Sequence, residues 1–253
     1  MRLLLVLSCV IAIHSAALNG TEEKPEVITI NGAHYVKEVL KTGIERPYSL
    51  AIDAATDTLF FSYTLSDSEE VLRSAKIDLE SGQFSDIEGL QYGFTQTVDQ
   101  EHHVPYIGTS KGIYKYDYGN NNATLYAAPE ADIWEVYYNG VLFYSDFPSR
   151  DLYTVRDGVS ARFSELNETR RGGGCAVLYK SLDLGEEIRA IAADAEGRVH
   201  VCCEDGIYKV DKARAALERV FFVDDAYGLA FDRRNWIVYA DAKSLAYLKP
   251  KQL

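Results

Sequence analysis

The chain has 253 residues, of which 26 are basic, 38 are acidic and 47% are apolar, with a formal net charge of −12. Such a balance argues against nucleic acid or an anionic membrane as a partner, because neither offers positive charge for the carboxylates to pair with. The length fits one large all-β domain.

The first 17 residues have the composition of a signal peptide. Arg2 is followed by an apolar run over residues 3–13 and by small residues at 15–17. The apolar run is too short to cross a bilayer, which takes about 20 residues. We therefore expect a secreted, extracellular protein with a short tail over residues 18–26 and one folded domain over residues 27–253. The mature chain keeps 25 basic and 38 acidic residues, a formal charge of −13.

Three Asn-x-Thr triplets agree with export. They begin at Asn19, Asn122 and Asn167, in the tail and in two expected hairpin loops. Such triplets accept N-linked glycans in secreted proteins. The sequence therefore predicts a glycoprotein.

Three cysteines remain after removal of the signal peptide: Cys175, Cys202 and Cys203. Adjacent residues of a strand point to opposite faces, so we expect Cys175 to pair with either Cys202 or Cys203. A vicinal disulfide or three free thiols are the alternatives. The cysteines have neither the C-x-x-C spacing nor the nearby histidine pair of a metal site.

One six-residue pattern occurs five times in the chain. Its third and fifth residues are mostly large and apolar, its second and fourth mostly small, and its last is Asp or Asn. The alternation predicts a β-strand, and the closing Asp or Asn suits a turn. The copies occupy residues 48–53, 94–99, 134–139, 189–194 and 227–232, with closing residues 46, 40, 55 and 38 positions apart. Repeats of about 40–45 residues with several short strands are typical of a β-propeller.

Five copies predict five blades. The segments GIYKYD at residues 112–117 and GIYKVD at 206–211 are two repeats apart and support blade-like units. The fifth repeat lacks an outer strand, so we expect residues 27–40 to supply it and close the ring, which removes exposed sheet edges. Six blades are the alternative, if the extension of the third repeat holds another sheet.

The sequence contains no P-loop, dinucleotide fingerprint or HExxH motif. The letters GTSKG at residues 108–112 fit G-x-S-x-G, but they connect two predicted strands and so form no strand-to-helix elbow. The closing Asp residues recur in the blades, which indicates a structural role. His102 and His103 are expected to be a solvated loop pair. The inner strands offer Glu135 and Gln96 to the central channel, and Ca²⁺ takes 6–8 oxygen ligands. We therefore predict no catalytic residues, no metal and no enzymatic activity.

The first residue of each copy is a candidate ligand contact. These residues are Tyr48, Phe94, Trp134, Arg189 and Tyr227. If the copies are related by rotation, their side chains lie at one level around one end of the channel. Four aromatic rings and a guanidinium would suit a flat, anionic, conjugated ligand. The alternative is that they only plug the channel and pack between the blades.

Two stretches carry a resemblance to a known family. RPYSLAID at residues 46–53 with TLFFSY at 58–63, and TVDQ at 97–100 with YIG at 106–108 and GIYKYD at 112–117, resemble the insect ommochrome-binding proteins. Those secreted haemolymph proteins carry ommochromes, tricyclic phenoxazinone pigments derived from tryptophan. The resemblance covers nearly the whole mature chain. It implies a pigment carrier without enzymatic activity, and it assigns no binding residue.

The leading hypothesis is therefore a secreted, monomeric propeller that binds an ommochrome or a related aromatic metabolite, with no cofactor besides that pigment. A calcium-dependent lactonase or esterase propeller is one alternative. A propeller that binds protein partners is another, because the same fold hosts all three functions.

Overall fold

The computed structural model describes residues 26–30, 32–66, 71–90, 92–149, 151–162, 188–211 and 216–251. The expected signal peptide, Asn19, Asn167, Cys175 and the extension of the third repeat lie outside these ranges. Within them the secondary structure consists of β-strands, and no helix is long and apolar enough to cross a membrane.

The strands form five antiparallel sheets in the described ranges. The first blade contains β3 (Glu45–Asp53), β4 (Thr58–Thr64), β5 (Arg73–Asp78) and β6 (Phe84–Asp86). The second contains β7 (Gly93–Asp99), β8 (Val104–Thr109), β9 (Gly112–Asp117) and β10 (Asn122–Ala127). The third contains β11 (Ile133–Tyr138), β12 (Leu142–Asp146), β13 (Leu152–Arg156) and β14 (Val159–Arg162). The fourth contains β15 (Ile188–Ala193), β16 (Val199–Cys203), β17 (Gly206–Asp211) and β18 (Ala216–Phe222). The fifth contains β19 (Gly228–Phe231), β20 (Ile237–Ala240) and β21 (Ser244–Pro250), extended by β2 (Ala33–Thr42) and β1 (Val27–Ile30).

These sheets are the blades of a five-bladed β-propeller, which confirms the predicted fold class. The repeated pattern forms the innermost strand of each blade. Contacts between inner strands join β15 to β19, β19 to β3, β3 to β7 and β7 to β11. The extra sheet of the six-blade alternative would fall within residues 163–187, outside the described residues.

The N-terminal strand closes the ring, as the sequence predicts. Strand β2 pairs antiparallel with β21, with Val36 opposite Lys249, and β1 pairs with the outer side of β2. The fifth blade is thus assembled from both ends of the described chain. Its C-terminal strand has a partner on each side, so it is not left as an open sheet edge.

The core lies between neighbouring blades. One cluster joins Phe61 and Leu59 of the first blade to Tyr247 and Leu245 of the fifth, and all four are buried. Similar clusters lie between the fourth and fifth, the second and third, and the first and second blades. Burial of this apolar surface holds the blades at fixed spacing.

The closing Asp residues have the structural role that their recurrence indicates. Asp53 accepts a hydrogen bond from the backbone N–H of Ala55 at 3.1 Å, and Asp232 accepts one from Trp236 at 2.7 Å. The exposed His102 and His103 also serve these turns. Their Nδ1 atoms lie 2.8 Å from Asp99 Oδ2 and 3.2 Å from Asp53 Oδ1, so His103 connects the second blade to the first.

Candidate functional site

Three of the five first residues occupy equivalent places in their blades, and the other two lie beside the same part of the inner strand. The pairing register of β7, β11 and β15 shifts by one residue at Phe94, Trp134 and Arg189, which are the extra residues of β-bulges. Tyr48 lies between two such shifts in β3, and Tyr227 comes directly before β19. A bulge turns its extra residue out of the regular alternation of the strand.

Three of these side chains and one loop residue form a continuous row of rings across the first three blades. The ring centroids of Tyr48 and Phe94 are 5.3 Å apart, and those of Phe94 and Trp134 are 5.1 Å apart. Phe147 stacks on Trp134 at 5.7 Å with an angle of 29° between the planes. We call Tyr48, Phe94, Trp134 and Phe147 the aromatic row. Its outer end is open, because Phe147 is 48% exposed.

Arg189 and Tyr227 form a second contact, in the fourth and fifth blades. The Arg189 guanidinium lies 4.7 Å from the Tyr227 ring centroid and donates hydrogen bonds to Asp225 Oδ1 at 2.6 Å and to the Ala226 carbonyl at 3.1 Å. The expectation of a guanidinium held ready for a ligand carboxylate therefore needs correction, because Asp225 already compensates its charge.

A row of polar side chains runs beside the aromatic row. Ser49, Thr95 and Glu135 each follow a member of the aromatic row directly in the sequence. The Ser49 hydroxyl donates to Thr95 Oγ1 at 3.3 Å, and the Thr95 hydroxyl donates to Glu135 Oε2 at 3.5 Å. We call these three residues the polar row. Ser49 has a φ of 52°, a left-handed backbone conformation that is uncommon for residues other than glycine and often marks functional sites.

Glu135 is reached by solvent and yet lies largely among protein atoms, as expected for a group that lines a channel. Partial desolvation raises the pKa of its carboxyl group, although the hydrogen bond from Thr95 acts in the opposite direction. This environment disfavours the charged form of the carboxyl group unless a cation or a hydrogen-bond donor approaches it.

Gln96 does not line the channel, which corrects the placement expected from the sequence. Its side chain is buried against the first blade, where Nε2 donates to Ser62 Oγ at 2.5 Å and to Ser74 Oγ at 3.4 Å. The hydroxyl of Tyr48 is also buried, and this burial raises the pKa of Tyr48 well above its usual range. Both polar groups are therefore parts of the wall behind the aromatic row.

The remaining predicted sites are placed only in part. Asn122 begins β10, and its Oδ1 accepts a hydrogen bond from the N–H of Ala123. Cys202 and Cys203 are fully buried in β16, whereas Cys175 lies outside the described residues. Glycosylation and disulfide pairing stay predictions. The part of the chain that the structure describes has no group of three His, Cys, Asp or Glu residues that could hold a metal ion.

A shallow depression of about 400 Å³ lies on the fourth blade. It is lined by Arg198, Lys209 and Glu218 with their neighbours, and it includes no residue of either row. The candidate site is instead the open surface formed by the aromatic and polar rows.

Solved structures share the fold. A gluconolactonase from Xanthomonas campestris superposes with a TM-score of 0.59 at 12% identity, covering 90% of this chain and 95% of that one. The calcium-binding protein regucalcin from Agrobacterium tumefaciens gives a TM-score of 0.60 at 12% identity, covering 86% and 96%. At such identities the likeness shows the propeller fold alone.

The sequence comparison is more specific. No family model matches the chain. The ommochrome-binding protein of Manduca sexta is 29% identical over an alignment of 277 positions, gaps included, which covers 99% of both chains. The chain is thus similar along its whole length to an insect ommochrome-binding protein, which confirms the resemblance drawn from its sequence motifs.

Proposed function

We propose that this protein is a secreted carrier that binds an ommochrome-type pigment non-covalently along the aromatic row. The observation that carries the proposal is the row itself, with four rings from three blades 5.1–5.7 Å apart and an open end at Phe147. The whole-length similarity to a protein named for ommochrome binding supports it.

The geometry suits a flat, conjugated ligand. Trp134 and Phe147 lie at 29° to each other and Phe94 and Trp134 at 35°, so the three rings offer similar faces. Stacking contributes about 0.5–1.5 kcal/mol per aromatic pair beyond the burial of apolar area. The pigment would stack from the Phe147 end, while the buried hydroxyl of Tyr48 belongs to the back wall.

Delivery to the haemolymph is part of the proposal. The signal-peptide pattern of residues 1–17 supports it. Expression of the full chain in insect cells should release a protein whose N-terminus follows residue 17. Retention of the uncleaved chain inside the cells would contradict secretion.

The test uses the two tryptophans of the chain, Trp134 and Trp236. Trp236 packs against Tyr247 and Arg234 in the fifth blade and provides a matched control. Titration with xanthommatin should shift the absorbance of the pigment and quench the tryptophan fluorescence, and both signals should saturate. Trp134→Ala should weaken binding by about 1–3 kcal/mol, whereas Trp236→Phe should leave the affinity unchanged. Absence of any absorbance or fluorescence change at tens of micromolar pigment would overturn the proposal.

The same preparation tests the two alternatives. Lactone or ester hydrolysis that a chelator abolishes would favour a calcium-dependent enzyme over a carrier. A protein that co-purifies at stoichiometric amounts, with no pigment bound, would favour an interaction propeller.

A further inference from the structure

The polar row has a fixed direction of hydrogen bonding. The backbone N–H of Gln96 donates to Ser49 Oγ at 2.9 Å, and the N–H of Val136 donates to Thr95 Oγ1 at 3.4 Å. A hydroxyl group has one proton, which Ser49 directs to Thr95 and Thr95 directs to Glu135. The hydroxyl protons are therefore already used, and the row ends on a carboxylate.

Glu135 is the member of the polar row that solvent reaches most readily. Glu135 is exposed, whereas Thr95 is buried and Ser49 is half-buried. The hydrogen-bond partner that the described residues provide for its carboxylate is the Thr95 hydroxyl, through Oε2. A partly desolvated carboxylate is stabilised by a cation or by N–H donors, and hydrogen bonds of this kind are stronger than neutral ones.

The two rows also lie side by side. Glu135 follows Trp134 directly, and Trp134 is the extra residue of the bulge, so both side chains leave the inner strand of the third blade at the same bulge. The cation first expected to recognise the ligand, Arg189, already pairs with Asp225 at 2.6 Å. The site therefore presents a hydrogen-bond-accepting carboxyl group on the strand that carries Trp134, and the charge of the Arg189 guanidinium is already compensated.

We propose that Glu135 determines specificity within the pigment class by binding a protonated amine that projects from the edge of the stacked ring system. Thr95 and Ser49 are positioning residues that hold the carboxylate towards the ligand. This inference rests on the proposed pigment binding and adds to it the chemistry of the ligand edge. An aromatic acid without an amino group would be a poorer ligand than its amino-bearing counterpart.

The experiment compares xanthommatin, whose amino-acid side chain carries a primary ammonium group, with its N-acetylated derivative, which is neutral at that nitrogen. Wild-type protein should bind xanthommatin about tenfold more tightly than the acetylated pigment, as expected for a charge-assisted hydrogen bond. Glu135→Gln should remove this preference by weakening the binding of xanthommatin. Glu218→Gln, a change on the outer strand β18, should retain the preference.

The outcomes separate the two levels of the proposal. If wild-type and Glu135→Gln protein prefer xanthommatin over the acetylated pigment equally, the role of Glu135 is overturned, because the acetyl group would then act by its size. The proposal of pigment binding itself would stand. Equal affinity of wild-type protein for both pigments would also overturn the role of Glu135. Failure of wild-type protein to bind either pigment would overturn the proposed function and this inference together.

Discussion

Trp134 of the third blade packs against Phe94 of the second, with 5.1 Å between the ring centroids and 35° between the planes. Both residues are the extra residues of β-bulges in their inner strands. Each ring therefore projects from its own sheet and contacts the other ring across the boundary between the two blades. The candidate site depends on the spacing of the blades as well as on the side chains themselves.

Gly108 controls that spacing. It lies in β8, where a Cβ atom would come within 2.6 Å of both Ile133 Cγ2 and Thr95 Cγ2. We expect Gly108→Ala to lower the free energy of unfolding by about 1–3 kcal/mol, since the second and third blades must separate. Pigment affinity should fall as the Phe94–Trp134 contact opens. Urea unfolding and pigment titration measure the two effects, with the exposed Gly119→Ala as control. An unchanged free energy of unfolding would contradict this prediction, because the blades would then accommodate the added methyl group without cost.

Phe147 should contribute to binding without contributing to stability. Its ring is 48% exposed in the β12–β13 connection and stacks on Trp134. Phe147→Ala should weaken pigment binding by about 1–3 kcal/mol and should change the free energy of unfolding by less than about 0.5 kcal/mol. Phe222→Ala removes a ring that is 63% exposed on β18 and is the matched control. Equal effects of the two substitutions on affinity would remove Phe147 from the site.

Acid should destabilise the protein through its turn carboxylates. Burial acts to raise the pKa of Asp194, but hydrogen bonds from the Arg198 side chain at 2.6 Å and from its backbone N–H at 2.8 Å outweigh burial and hold the pKa below its usual range. The stabilising contribution is present above the unfolded-state pKa, about 3.9, and is lost as the pH falls through the folded-state pKa.

Asp194→Asn tests this linkage. The free energy of unfolding of the wild-type protein should decrease between about pH 5 and pH 2, and the variant should lose less over the same range. Urea unfolding at a series of pH values measures both slopes. Parallel slopes would contradict the assignment of the pH dependence to Asp194.

The closure of the ring should depend on the backbone N–H groups of alternate residues of β2, namely those that face β21. The N–H of Lys37 donates outward to the Glu26 carbonyl at 2.9 Å, so the neighbouring Val36 is expected to direct its N–H towards β21. Val36→Pro should therefore destabilise the protein by about 3 kcal/mol, and Lys37→Pro by less, because it affects the contact with β1 alone. Thermal unfolding compares the two variants. A larger loss from Lys37→Pro would contradict this direction of pairing.

The repeated pattern contains enough information to predict the blades, the closing strand and the turn role of the Asp residues, because each follows from local alternation and spacing. The site is less predictable. A strict period of two places Gln96 with the channel-lining residues, but the bulge at Phe94 changes the face on which it lies. Phe147 lies in a connection outside the repeat, so no periodic signal marks it. The compensation of Arg189 by Asp225 depends on how the connection before β19 folds.

The pairing of β2 with β21 also affects how the protein is made. Strand β2 is synthesised early, but it can pair with β21 only after that last strand has been made. Contacts between such distant segments form slowly, so the interior blades must assemble first and the fifth blade last. An unfinished chain would expose unpaired strand edges and would be prone to aggregate.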